Sequence, residues 1–229
     1  MAPLTVSYLA RLDALIEKYN LLNHPFYEAW SKGELSKTDL QRYAKDYFHH
    51  VLAFPTYVSG VHNRIPDIRD RQVMLENLLE EEHGPENHPE LWLRFAEGIG
   101  VSRAAVEEHM PSGAVSNFVR TFQRVTRHAN PLVGLSALFA YESQVPHVAH
   151  EKIAGLKKYF GVKDARTLQF FDVHEKADVE HSQDERKLIE RYAKQGDHDL
   201  ALRETEKVLR GVWRVLSSVY SMGRKSSAS

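Results

Sequence analysis

Apolar residues recur at intervals of three and four along almost the whole chain, the period of helices that each bury one face. Leu9, Leu12, Leu15 and Ile16 mark a first amphipathic stretch that ends near Asn20. A short segment follows from His24 to Trp30, with Pro25 in the first turn, where the missing N–H is not needed. Ser36-Lys-Thr-Asp39 has the form of a capping box. It opens a long helix carrying Tyr43, Tyr47, His50, Phe54 and Tyr57 at alternating spacings of four and three. A helix from about Asp67 carries Val73, Leu75, Leu78 and Leu79 into the acidic run Glu80, Glu81, Glu82.

The stretch HGPENHPELW is interrupted by Gly84, Pro85 and Pro89, which predicts a kink or a short unwound segment. Helix resumes through Leu91, Trp92 and Phe95. Short helices are expected from Ser102 to about Glu108 and from Ser112 to Arg127. Asn130-Pro131 starts a segment running to Phe160 with an internal Pro146, and Asp164 is placed to cap the next helix. A last amphipathic helix runs from Asp199 to about Met222. No strand pattern or internal repeat competes, so the expected fold is an all-α bundle in one domain over residues 1–222, with a disordered tail at 223–229.

Composition narrows the chemistry. With 229 residues, 42% of them hydrophobic, the chain is long enough for a substantial single core. Lys+Arg of 30 against Asp+Glu of 31 gives no electrostatic support for a nucleic-acid or acidic-membrane partner. No apolar run reaches the ~20 residues of a membrane span, and a cytoplasmic location is expected. The absence of cysteine removes disulfides, thiolate-bound metals and cysteine nucleophiles.

Against that background the run HEKADVEH stands out. His174, Asp178 and His181 occupy positions i, i+4 and i+7, which at about 100° per residue fall within roughly 60° of one another. The same stripe passes through Phe171, Leu188 and Tyr192, so it faces inward. Two imidazoles and a carboxylate brought inside need partners, and a cation satisfies all three. With 13 histidines in the chain such a spacing also arises by accident, so the register around it carries part of the weight.

Further donors are needed for a dinuclear site. Glu142 is the single charge between Asn130 and Gln144, in register with Leu135 and Leu138; an ion pair with a neighbouring Arg or Lys is the alternative explanation. Glu81 and His88, seven residues apart, would share a face of a regular helix, although Gly84-Pro85 weakens that geometry. Glu80 with His83 is the rival pair, an E-x-x-H arrangement matching Asp178-x-x-His181. Periodicity does not separate the two pairs.

The phrases HPFYEAWSKGELS, YAKDYFHHVLAFPTYVS, AYESQVPHVAHEKIAGL and HEKADVEHS, with Glu81, His88, Glu142, His174, Asp178 and His181 in order, resemble the haem-oxygenase-like dinuclear metal oxidases. The resemblance covers almost the whole chain. It is greatest to the branch of the chlamydial protein associating with death domains and its bacterial relatives, self-sacrificing para-aminobenzoate synthases. It implies a seven-helix bundle, selects Glu81 and His88 over Glu80 and His83, and assigns the six residues to two metal ions, iron with iron or iron with manganese. It also implies dioxygen and an external reductant as co-reactants. Tyr27 in HPFYEAW corresponds to the tyrosine that supplies the aromatic ring, and Lys152 in HEKIAGL to the amine donor. Tyr43 and Tyr141 match positions that assist radical transfer. Judged on spacing alone, Tyr43 belongs to a core stripe and Lys152 reads as a surface lysine with an apolar stem.

Three functional classes are therefore in play. The first is an oxygen-dependent enzyme forming para-aminobenzoate for folate synthesis from its own side chains. The second is a dinuclear oxidase acting on an external small molecule. The third, from a different class, is a helical interaction module, which leaves the inward-facing acids unexplained. A thiaminase is disfavoured by the lack of cysteine, and a cofactorless quinone-forming oxidase by the carboxylate set. A homodimer is a further expectation from the fold.

Overall fold

The side chains of Ser36, Asp67, Asn87, Ser112, Asn130 and Asp164 each accept a hydrogen bond from a backbone N–H in the first turn of the following helix. These bonds satisfy donors that have no partner within the helix and so punctuate the chain. The computed structural model describes residues 7–194 and 197–226, the side chains of residues 176–180 and 222–226 excepted. Its helices are α1 Tyr8–Lys18, α2 Pro25–Lys32, α3 Lys37–His62, α4 Ile68–Glu82, α5 His88–Gly98, α6 Arg103–Glu107, α7 Gly113–Thr126, α8 Pro131–Glu142, α9 Val145–Phe160, α10 Ala165–Tyr192 and α11 His198–Ser226. A 3₁₀ turn, Leu21–Asn23, joins α1 to α2. No strand occurs among the described residues.

Helix α8 is the centre of the bundle. Every residue from Leu132 to Glu142 is buried, as expected for a helix that is apolar all round. It is covered by α11, α10 and α7, while α10 also packs on α9 and α5, and α3 on α7, α4 and α5. The core is strongly aromatic, with Trp30, Trp92, Tyr43, Tyr57, Phe26, Phe95, Phe118, Phe122 and Phe171 almost completely enclosed.

Two boundaries differ from the sequence expectation. The segment from Asn130 to Phe160 is not one helix. It breaks after Glu142, and Pro146 lies in the first turn of α9, where a ring without an N–H is tolerated. At the other end α11 continues to Ser226, four residues into the segment expected as a disordered tail; residues 227–229 lie outside the described residues.

One close approach sets up the site. A Cβ on Gly155 of α9 would lie 2.4 Å from Nε1 of Trp30 on α2. Trp30 in turn donates from Nε1 to the Glu151 carbonyl at 3.2 Å, so α2 and α9 meet without intervening side chain. Gly155→Ala normally gains about 1 kcal/mol of helix propensity, but here the overlap costs about 1–3 kcal/mol and dominates. The expected outcome is a lower melting temperature by circular dichroism, together with separation of the groups that α2 and α9 carry.

Candidate metal centre

The break between α4 and α5 builds the first half of the centre. His83 ends α4 in an extended conformation, Gly84 follows at φ 78°, and Asn87 Nδ2 donates to the Gly84 carbonyl at 2.8 Å. Asn87 also caps α5, accepting from the Glu90 N–H at 3.0 Å. The chain thus turns back, and His88 Nδ1 comes to 2.7 Å from Glu81 Oε2. His174 of α10 completes the group, its ring centroid 4.3 Å from that of His88. One donor atom each from Glu81, His88 and His174 lies within 4.8 Å of the others, and all three residues are buried. His174 donates Nδ1–H to the Phe170 carbonyl at 2.6 Å, the bond by which metal-binding histidines are commonly oriented.

The rival pair is placed differently. Glu80 and His83 are both exposed, and Glu80 Oε2 lies 3.3 Å from Nε2 of His181 on α10. Glu142, at the last position of α8, is 1% exposed, and no arginine or lysine bridge to it occurs among the described residues. Its Oε1 accepts from Asn77 Nδ2 at 3.2 Å, while Oε2 has no hydrogen-bond partner. His181 is near enough to act electrostatically on both Glu81 and Glu142, but among the described residues only Glu81, His88 and His174 bring donor atoms within 4.8 Å of one another. The side chain of Asp178 lies outside the described residues.

Two buried residues of this region were not anticipated. Asn77 precedes Glu81 by one helical turn and Glu185 follows His181 by one turn, so both were legible as extensions of the donor stripes. Burial pushes the Glu81 carboxyl up to about 8 and raises Glu142 as well. Metal-free, this is a cluster of acids in a medium that disfavours their charge. A cation reverses that preference.

Beside the acids lies a cavity of ≈ 50 Å³, lined by Glu81, His88, Glu142 and His174 and by Tyr27, Tyr47, His50, Tyr141 and Lys152. Lys152 is not on the surface: it is 4% exposed, and the Gly155 contact presses its helix against α2. Its Nζ donates to the Tyr43 hydroxyl at 2.5 Å and lies 5.6 Å from the Tyr27 ring centroid. The Tyr27 and Tyr43 phenols are close enough to perturb each other's ionisation. Burial without an acidic partner lowers Lys152 to about 7 and holds Tyr27 and Tyr43 well above the usual phenol value. Tyr47 and Tyr141 share a hydrogen bond of 2.7 Å, and His50, lowered to about 3 by burial, packs against both. Spacing identified Tyr47 and His50 as core; their exposure to the cavity comes from the packing of α8 against α3.

The donor set fits a transition metal. Imidazole and carboxylate donors converge in a buried site that contains no thiolate, and Glu142 offers an acceptor atom with no other partner. Such a set suits iron or manganese.

Comparisons with known proteins agree with this geometry. The chain is 43% identical over 214 residues to the 4-aminobenzoate synthase of Chlamydia muridarum, covering 93% of this chain and 90% of the relative. It is 39% identical to the protein of the same name from Nitrosomonas europaea, with coverage of 94% and 92%. Among solved structures, a protein of heme oxygenase-like fold from Shewanella denitrificans superposes with a TM-score of 0.77 at 17% identity, covering 95% of this chain and 94% of that one. A TenA homologue from Pseudomonas syringae gives 0.80 at 12% identity, with coverage of 96% and 98%. No helix among the described residues is long and apolar enough to cross a membrane. Residues 41–220, which include the acids, the histidines and Lys152, match the family described as iron-containing redox enzymes, and the chain belongs to that family.

Proposed function

We propose that this protein is a 4-aminobenzoate synthase that builds its product from its own Tyr27 and Lys152. The observation that carries the reading is the placement of a buried, readily neutralised amine beside two tyrosines in a cavity of ≈ 50 Å³. The cavity is tight, with room for a few water-sized molecules beside the ring and the amine. The names of the relatives at 39–43% identity point to the same product.

Glu81, His88 and His174 would hold one cation, and Glu142 and His181, with Asp178, the other. Two irons, or iron with manganese, would supply the oxidising power by activating dioxygen with electrons from an external reductant. The protein supplies placement. Tyrosine and 4-aminobenzoate share a para-disubstituted ring bearing one carbon, so the Tyr27 ring and Cβ correspond to the ring and carboxyl carbon of the product. The Lys152 nitrogen would take the place of the phenol oxygen, its bond to Cε breaking and the oxygen leaving as water, while the Tyr27 Cα–Cβ bond breaks and Cβ is oxidised to the carboxyl level at the expense of dioxygen. Lys152 is held at that ring by its hydrogen bond to Tyr43. Tyr47 and Tyr141 pair across the cavity wall between the aromatic cluster and Glu142, so a proton at either hydroxyl has a neighbour to move to. Apolar residues, among them Val148, Ala149 and Phe171, restrict water at the reacting ring.

The test is direct. Protein loaded anaerobically with iron and manganese, then given reductant and air, is expected to release 4-aminobenzoate, detected by mass spectrometry. Undiminished release from a Tyr27→Phe variant would remove the tyrosine from the scheme. The pH dependence follows from Lys152. Only the neutral amine has a lone pair, and the group passes from ammonium to amine at about 7. The rate of release after oxygen is added to preloaded protein should rise about tenfold per unit below that value and level off above it. A flat profile between pH 5.5 and 8.5 would argue against the amine as donor.

A further inference from the structure

An ammonium group carries three N–H donors and loses its hydration when it is enclosed, so each donor needs something electron-rich to face. Lys152 is 4% exposed, donates one N–H to the Tyr43 hydroxyl, and has no carboxylate partner among the described residues. What surrounds it instead is aromatic. Nζ lies 4.8 Å from the ring centroid of Tyr43, 5.3 Å from Phe171, 5.5 Å from Tyr47, 5.6 Å from Tyr27 and 5.7 Å from Trp92. All five lie inside the ~6 Å over which a ring face attracts a cation. The rings come from α2, α3, α5 and α10 and close around a side chain delivered by α9. Trp92 is fully buried and its Nε1–H is committed to the Ala44 carbonyl at 2.8 Å, which fixes the indole beside the amine. We propose that Trp92 and Phe171 are positioning residues for the amine, completing with Tyr27, Tyr43 and Tyr47 an aromatic cage that holds the Lys152 ammonium at the Tyr27 ring. This deepens the reading above, in which Lys152 supplies the nitrogen.

The cage acts in two ways. It fixes direction, because the flexible four-carbon stem of a lysine does not by itself hold Nζ in one place, whereas five ring faces and one hydroxyl do. It also opposes burial. Enclosure favours the neutral amine, while the ring faces favour the ammonium and so withhold the lone pair until the proton is removed. The other groups facing the amine keep their charge near neutral pH. Burial holds Tyr27, Tyr43 and Tyr47 on α2 and α3 as neutral phenols, and lowers His50 of α3 to about 3. Glu81 of α4, His88 of α5, Glu142 of α8 and His174 of α10 line the same cavity and are unchanged when only a ring is altered. A difference between ring variants therefore reports the rings.

The test is titration of Lys152 itself, with neither metal nor turnover. Its midpoint is read from the ¹³Cε resonance of lysine-labelled, metal-free protein, assigned by comparison with Lys152→Met. Trp92 is replaced site-specifically by mono-, di- and trifluorotryptophan, which keep the shape of the indole and its bond to Ala44 while drawing charge from the ring face. The midpoint is expected to fall stepwise with fluorine number, by about one pH unit in all. Fluorinated phenylalanine at position 171 should act in the same direction; no change there alone would remove Phe171 from the cage. A midpoint that ignores fluorination at Trp92, or rises with it, would overturn the proposal, since rings that merely exclude water give no such ordered fall. With metal, reductant and oxygen supplied, the pH at which 4-aminobenzoate release levels off should move down with the midpoint. A midpoint that moves while the release profile stays in place would leave the cage standing and overturn Lys152 as the nitrogen donor.

Discussion

Lys152→Met should abolish 4-aminobenzoate release and stabilise the protein. An ammonium group has an ordinary value of 10.5, and at Lys152 burial lowers this to about 7. Because the folded-state value is depressed, the unfolded chain binds more protons between these limits, and stability rises with pH from about 7 to 10.5. At neutral pH the native state therefore carries a cost of about 4 kcal/mol relative to a neutral side chain of the same shape. Methionine fills a similar volume without a charge, and losing the bond to Tyr43 returns about 1 kcal/mol. The net gain at pH 7 is about 2–3 kcal/mol, or of the order of 5–10 °C in melting temperature. Thermal melts at pH 7 and pH 10 provide the check, since the advantage of the variant should shrink as the wild-type amine ceases to be penalised. A variant that melts lower than wild type at pH 7 would mean that the lysine is structurally required. A gain of stability with loss of product is what a strained reactive group produces.

The second large effect is expected in the protein that has reacted. If the ring of Tyr27 leaves as product with the nitrogen of Lys152, the intact mass of the chain falls by the hydroxybenzyl group and changes again by the loss of the amine, and peptide spectra place the two changes in α2 and α9. Each chain then makes at most one product molecule. The spent chain is also expected to be less stable, because Tyr27 is 3% exposed and packs against Phe26 and Tyr43. Emptying a buried aromatic site costs about 3–5 kcal/mol, so the spent protein should melt several degrees lower and exchange the amides of α2 faster. Repeated turnover with unchanged mass would point to an external substrate.

Both effects originate in an environment that no local pattern specifies. Read by spacing, Lys152 is an amphipathic surface lysine; in the bundle it is enclosed because Gly155, three residues on, lets Trp30 close over α9. Tyr27 lies on a helix of eight residues whose partners are far away in sequence. The tyrosines meet the amine only once α2, α3 and α9 are packed.

The periodicities of this chain were sufficient for its helices, for most of their capped starts, and for the alignment of His174 and His181 on one stripe of α10, because these depend on an angular repeat within one helix; the third member of that stripe, Asp178, has its side chain outside the described residues. The solitary acid of the apolar helix α8 marked Glu142 for the same reason. Tertiary structure decided what angular repeat does not control. The reversal at Gly84, rather than a shared helical face, brings His88 against Glu81; packing separates them from the exposed Glu80 and His83. It also decided that Tyr47 pairs with Tyr141 and that Lys152 is held close to neutrality. Donor direction is set along a helix, whereas distance between donors and exclusion of water are set between helices.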